Sequence, residues 1–316
     1  MSHLNNPFRL PRTVLPSRYE VSLTPDLDAA SFTGTVLIAA EATEAVSEIV
    51  VNAIELEIAS VTVNGLTASF TLHEESERLI ISANVAKGPC EIAIAFTGIL
   101  NDKLRGFYRS TFTDDSGVLR TIATTQMQST DCRRAFPCFD EPDFKAVFAI
   151  DLTIKSEFLA VSNSSETKRE VLSGGLTRIW FADTMIMSTY LVAFVVGPLE
   201  ATETEMVGDI AVRIIHVPGK SHLTEFGMRA GTFALDWFQT YYGVPYPSDK
   251  VDLLALPDFA AGAMENVGCI TFREVLLLVD PETSTQVEQE LVALVVAHEL
   301  AHMWFGDLVT MRWWNG

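Results

Sequence analysis

Between Tyr19 and Gly197 the chain is cut into short runs of β-branched and aromatic residues by Gly, Pro, Asn and Asp. That punctuation commits the N-terminal part of the protein to sheet. The runs "YEVSLTPD" (19–26), "GTVLIAAEAT" (34–43), "EIVVNAIELEIASVTVNG" (48–65) and "EIAIAFTG" (91–98) come first. "FAIDLTIK" (148–155), "TRIWFAD" (177–183) and "STYLVAFVVG" (188–197) follow. Several alternate apolar and polar side chains, the period of a strand with one buried face. Asn64-Gly65, between "ASVTV" and "TASFTL", predicts a hairpin, because a type I′ turn needs φ > 0 at both central residues. Many strands with few helices predict an antiparallel β sandwich or saddle.

The pattern changes after Gly197-Pro198. "HLTEFGMRAGTFALDWFQTYYG" (222–243) spaces Leu223, Phe226, Ala230, Phe233, Ala234, Trp237 and Phe238 as on a helix. "KVDLLALPDF" (250–259) returns to strand. A second helix is expected from Thr285, where Thr285 and Glu288 fit a capping box, to a C-terminal cap at Gly306. These changes place a boundary near residue 199 and predict an α+β chain, with a β domain over 1–198 and a second domain over 199–316. A length of 316 residues suits two domains of about 100–200 each.

Charge and composition narrow the function classes. A net charge of −19 without any Lys/Arg cluster argues against nucleic acid, which needs a basic surface. No apolar run approaches the ~18 residues that cross a bilayer, and the first residues lack an apolar stretch of leader length. The expectation is a cytoplasmic protein without a membrane partner. Cys90, Cys132, Cys138 and Cys269 are too few for a disulfide scaffold and lack paired metal spacing, so buried thiols are expected.

The chemistry concentrates in "VVAHELAHMWFGD" (295–307). On a helix, residues i and i+4 share a face, so His298 and His302 can aim ring nitrogens at one point, as zinc requires. Glu299 lies about 100° round the helix, where it reaches a water on the metal rather than the metal itself. The water's acidity rises on the metal and the carboxylate takes its proton. This is the HExxH pattern of hydrolytic zinc sites. Catalytic zinc normally has three protein ligands, and the local sequence supplies two. The other histidines, His3, His73, His216 and His222, are not paired with the motif, and Asp307 is expected beyond the helix end, pointing away.

A second stretch, "LPDFAAGAMENVGCITFRE" (256–274), contains Gly262-Ala263-Met264-Glu265-Asn266, with 32 residues between Asn266 and Glu299. GAMEN ahead of HExxH-x-W-F-G-D resembles the aminopeptidase N family of zinc metallopeptidases. "TQMQSTDCRRAFPCFDEPDFKAVF" (125–148), "MSTYLVAFVVG" (187–197) and "YPSDKVDLLALPDF" (246–259) agree in order, so the resemblance runs over nearly the whole chain. It implies a β saddle followed by a thermolysin-like catalytic domain, one zinc per chain, and peptides with a free N-terminus as substrates. It further implies that Glu265 binds the substrate ammonium, that backbone groups at Gly262 and Ala263 align the substrate main chain, and that Met264 and Asn266 belong to the same substrate-binding segment, Met264 in part defining the pocket depth. Gln126 and Gln128 match the segment entering the first specificity pocket; many members carry Glu at the position of Gln128. The family's third ligand, a Glu, would fall at position 321, five past Gly316, which itself stands where an acid is usual. A downstream tyrosine and the covering helical domains are also expected beyond that point. The resemblance therefore implies a fragment, inactive or nearly so by itself. A rival reading is a truncated non-catalytic protein that binds peptides or a partner through the β domain. An epoxide-opening relative is disfavoured by GAMEN itself.

Overall fold

The computed structural model describes residues 9–315; His3 and Gly316 lie outside the described residues. The chain is α+β. Its first half forms three sheets. The eight-stranded one runs, edge to edge, Glu166–Val171, Leu176–Phe181, Val147–Lys155, Val14–Asp26, Ser31–Ala42, Gly88–Ile99, Leu56–Val63 and Leu66–Thr67. Side chains alternate as expected: Cys90, Ile92, Ile94 and Phe96 are buried along one face of Gly88–Ile99. Against that face packs a four-stranded sheet (Leu159–Ser162, Phe194–Gly197, Leu119–Gln126, Gly106–Thr113). The aromatic contacts Phe32–Phe107 at 5.1 Å and Phe107–Phe194 at 4.8 Å join the two. A three-stranded sheet (Val46–Asn52, Arg78–Val85, Ser69–His73) completes the set.

Local signals behave as their dihedral chemistry demands. Asn64 and Gly65 both take positive φ, 52° and 75°, and Val63 pairs with Leu66 across the turn. Two differences have non-local causes. Val14–Asp26 and Val147–Lys155 run parallel, an exception to the antiparallel expectation that a crossover of distant segments permits. Residues 188–193, expected as strand, open with a 3-10 turn at Thr189–Leu191, and the strand begins only at Phe194. Side chains take the place of a ladder there: the Asn163 amide donates to the Leu191 carbonyl at 2.8 Å and accepts from the Ala193 N–H at 2.9 Å.

From Glu200 onward the strands belong to another sheet, ordered Glu200–Ala201, Ile210–His216, Lys250–Leu256, Cys269–Arg273 and Ala263–Met264, with Glu205–Val207 also on Ile210–His216. Its centre is parallel and every residue of Lys250–Leu256 is buried, apolar except for Lys250 and Asp252, which pair with each other at 2.8 Å. Helices α1 (Glu225–Tyr242) and α2 (Gln286–His302) pack over it around Leu253, Leu235, Val296 and Leu300. The buried stripe of α1 includes Gly227 and Gly231, and a Cβ at Gly231 would stand 2.8 Å from Leu253 Cδ1, so the small residues set the close approach. Phe233 and Trp237, which share the helical spacing, face outward. All four cysteines are free and buried. No helix among the described residues is long and apolar enough to cross a membrane.

The two halves share a joint rather than a linker. Ile215, Leu254, Phe259, Met264 and Val267 belong to the same core as the β sheets. Asn163 donates to the Val267 carbonyl at 2.8 Å, and the Lys250 ammonium to those of Ser162 and Gly268 at 2.7 and 2.5 Å. Tyr108 and Ser110 hold Asp258 at 3.0 and 3.2 Å. These bonds seat the GAMEN segment against the β domain.

Candidate metal centre and substrate edge

Helix α2 opens with the full capping box: Thr285 accepts from the Glu288 N–H, and the Glu288 carboxylate accepts in return from Thr285. Val292, Val296, Glu299 and Leu300 face inward, leaving His298 exposed and His302 half-buried on the adjoining face. Their Nε2 atoms approach to 3.1 Å with the rings nearly perpendicular, at 87°. Two nitrogens bound tetrahedrally at ~2.0–2.1 Å from zinc stand about 3.3 Å apart, so the pair fits such an ion. His302 Nδ1 lies 2.9 Å from the Phe305 carbonyl. A carbonyl only accepts, so Nδ1 carries the hydrogen and the Nε2 lone pair is left free for a metal.

The helix ends at His302, short of the expected cap at Gly306. Gly306 instead takes φ +146°, and the chain folds back: Gly306 N–H donates to Val309 and Asp307 N–H to the His302 carbonyl, at 2.8 and 3.1 Å. That turn corrects the expected place of Asp307. Its carboxyl does not point away but is fully buried, and neither oxygen has a hydrogen-bond partner. Burial, then the charges of Glu265 and Glu299, push it well above the usual carboxylate range, with Lys145 opposing.

Beside α2 lies the edge strand Ala263–Met264, paired with Phe272 and Thr271 on one side only. Gly262 is exposed, its carbonyl accepting from Arg273 N–H at 2.9 Å; Ala263 is half-buried and Met264 fully buried. Glu265 is not an exposed loop carboxylate: it is 6 % exposed. Its charge reaches Glu299, which is also buried. Burial first and Glu265 second push the Glu299 carboxyl up to about 8. Gln126 donates to the Met264 sulfur at 3.6 Å, and Asn266 to Thr271 at 3.3 Å; each keeps a buried side-chain oxygen without a partner. Gln128 is exposed, and among the described residues its amide has no hydrogen-bond partner. The fold thus brings together His298 with His302, Glu265 with Glu299, and Gln126 with Met264, while Gln128 is exposed.

Two features fall outside this arrangement. Cys132, Cys138 and Asp140 place their ligand atoms within 4.8 Å of one another, but Arg133 and Thr189 already hold Asp140 at 2.9 and 2.7 Å. That group is structural. A cavity of about 690 Å³, lined by residues such as His73, Arg78, Arg133 and Trp313, contains none of His298, His302, Glu299, Glu265, Gln126 and Gln128.

Residues 15–191 match the family profile described as Peptidase M1 N-terminal domain, and residues 226–316 match Peptidase family M1 domain. The chain belongs to peptidase family M1. Among curated M1 relatives, Aminopeptidase M1-A of Oryza sativa subsp. japonica is 43% identical over 97% of this chain and 36% of its own length. Puromycin-sensitive aminopeptidase of Caenorhabditis elegans is 39% identical over 97% of this chain and 33% of its own. Endoplasmic reticulum aminopeptidase 2 of Bos taurus is 38% identical, at 97% and 34%. The chain therefore spans about a third of the length of the curated M1 relatives it matches.

Proposed function

We propose that this chain carries the zinc-binding helix and amine-recognition loop of an aminopeptidase that removes N-terminal residues from peptides. The observation that carries the reading is the convergence of the His298 and His302 Nε2 atoms at 3.1 Å beside two buried carboxyls, Glu299 and Glu265. His298 and His302 would hold the ion, which when bound supplies a Lewis acid for the scissile carbonyl and the attacking water. Glu299, buried next to His298 in the chain, would take up and pass on the water's proton. Glu265, a buried carboxylate, pairs with the substrate ammonium and so measures one residue from the chain end. The unpaired side of Ala263–Met264 offers N–H and C=O groups to an extended peptide backbone. Gln126 and Gln128 approach the first side-chain pocket from the β domain. A cytoplasmic setting and a division into domains at about residue 199 are part of the same reading. Two histidines alone hold zinc less firmly than a three-ligand set, so the 316-residue chain is expected to turn over poorly.

The test is metal analysis and hydrolysis of alanyl- and leucyl-arylamides by the full product of the gene. One zinc per chain, lost with activity in His298→Ala and His302→Ala, is expected. A full product without zinc or turnover would instead support the rival reading, a non-catalytic protein that binds peptides through its β domain.

A further inference from the structure

The turn that follows the zinc-ligand pair is not held by its own side chains. From Phe305 to Val309, Phe305, Leu308 and Val309 are exposed, Gly306 has no side chain, and the buried Asp307 carboxyl has no hydrogen-bond partner. Its carbonyls are held from outside instead. The Tyr190 hydroxyl donates to the Gly306 carbonyl at 2.8 Å. The Lys145 ammonium donates to the Asp307 and Leu308 carbonyls at 2.9 and 3.2 Å. Thr310 adds local bonds to Gly306 and Asp307 at 2.6 and 2.9 Å. Tyr190 and Lys145 both come from the β domain, more than a hundred residues earlier, and Tyr190 is fully buried, so its hydroxyl position is set by packing.

We infer that Tyr190 and Lys145 are positioning residues for the metal centre: a β-domain clamp on three successive carbonyls that sets the tautomer of His302. The link is short. The Phe305 carbonyl, immediately before the clamped Gly306, accepts from His302 Nδ1 at 2.9 Å. The plane of that peptide decides whether the acceptor faces the imidazole, and the clamp holds the residue on its far side. Space at the joint is tight as well, since a Cβ on Gly306 would stand 3.0 Å from His302 Nδ1. With Nδ1–H so engaged, the Nε2 lone pair faces His298 Nε2, which must then be the protonated nitrogen of the pair in the metal-free protein. Loosening the clamp frees the Phe305 carbonyl to turn, and His302 then samples the Nε2–H tautomer, whose Nε2 has no lone pair to offer a metal beside His298. The relevance to catalysis rests on the zinc reading above; the tautomer does not.

The experiment therefore reads the two separately. Nitrogen-15 histidine spectra of the 316-residue chain in chelator, at alkaline pH where imidazoles are neutral, report the His302 tautomer directly. Zinc alone, titrated against a chromophoric chelator, reports affinity. The wild type is expected to show His302 in the Nδ1–H form. Tyr190→Phe, which deletes one oxygen atom, and Lys145→Met should each shift that ratio at least twofold and weaken zinc roughly tenfold. Lys145→Arg, which keeps the donors, should restore both, and Lys155→Met, at the exposed pair with Asp28, should change neither. An unchanged His302 ratio in Tyr190→Phe and Lys145→Met overturns the clamp. Absence of zinc binding in the wild type overturns the metal reading instead and leaves the tautomer ratio to decide this inference.

Discussion

Replacing Glu299 by Gln should flatten the loss of stability that the metal-free protein suffers as pH rises. In the folded state burial and the charge of Glu265 lift this carboxyl from the usual 4.5 to about 8. The folded chain thus holds a proton that the unfolded chain has released, throughout that interval. A group raised in this way stabilises fully below about 4.5, and its contribution drains away as pH climbs through the folded value near 8. Each pH unit between the two values is worth about 1.4 kcal/mol, giving a ceiling near 5 kcal/mol. Relaxation and water entry around the charged form reduce this, and roughly 2–3 kcal/mol is the expected change. Glutamine keeps the shape and removes the titration, at the cost of an amide that still needs partners, about 1–3 kcal/mol at every pH. The assay is urea unfolding of wild type and Glu299→Gln in chelator at a series of pH values from 5 to 9. The variant should be the less stable at the acid end and should gain on the wild type as pH rises. Parallel curves across the whole series would show that Glu299 is not a proton-holding group in the folded protein, and the burial argument would fail with it.

Asp307→Asn should act in the same direction, because burial also raises that carboxyl, and the same pH series in chelator reads it. Gly306→Ala places a methyl against His302 in a conformation that favours glycine; a stability loss of roughly 1–3 kcal/mol in urea melts should come with weakened zinc by chelator competition. Leu253→Ala removes the fully buried side chain beneath Gly231 of α1 and should cost about 2–5 kcal/mol, measured by the same melts. Gln128→Glu in the full product of the gene should alter KM for arylamide substrates, since it adds an exposed carboxylate two residues after Gln126; unchanged KM and kcat would remove Gln128 from the site.

What could be read along the chain is what a few neighbouring residues decide among themselves. Asn64-Gly65 makes its turn because both residues tolerate positive φ, and Thr285 caps α2 because Glu288 is three residues away. His298 and His302 share a face because a helix repeats every 3.6 residues, which sets their rings side by side. The GAMEN and HExxH segments are legible for the same reason. Tertiary structure decided the rest. Residues 188–193 are not strand because the distant Asn163 amide takes over their backbone bonds. Asp307 is buried because the turn after α2 folds back under the hold of Lys145 and Tyr190, a pairing across more than a hundred residues that no local period announces. The Glu299 carboxyl is raised only when folding buries it and brings Glu265 near. Spacing is a property of the backbone and survives in any context, whereas desolvation and long-range hydrogen bonding exist only once the chain has closed on itself.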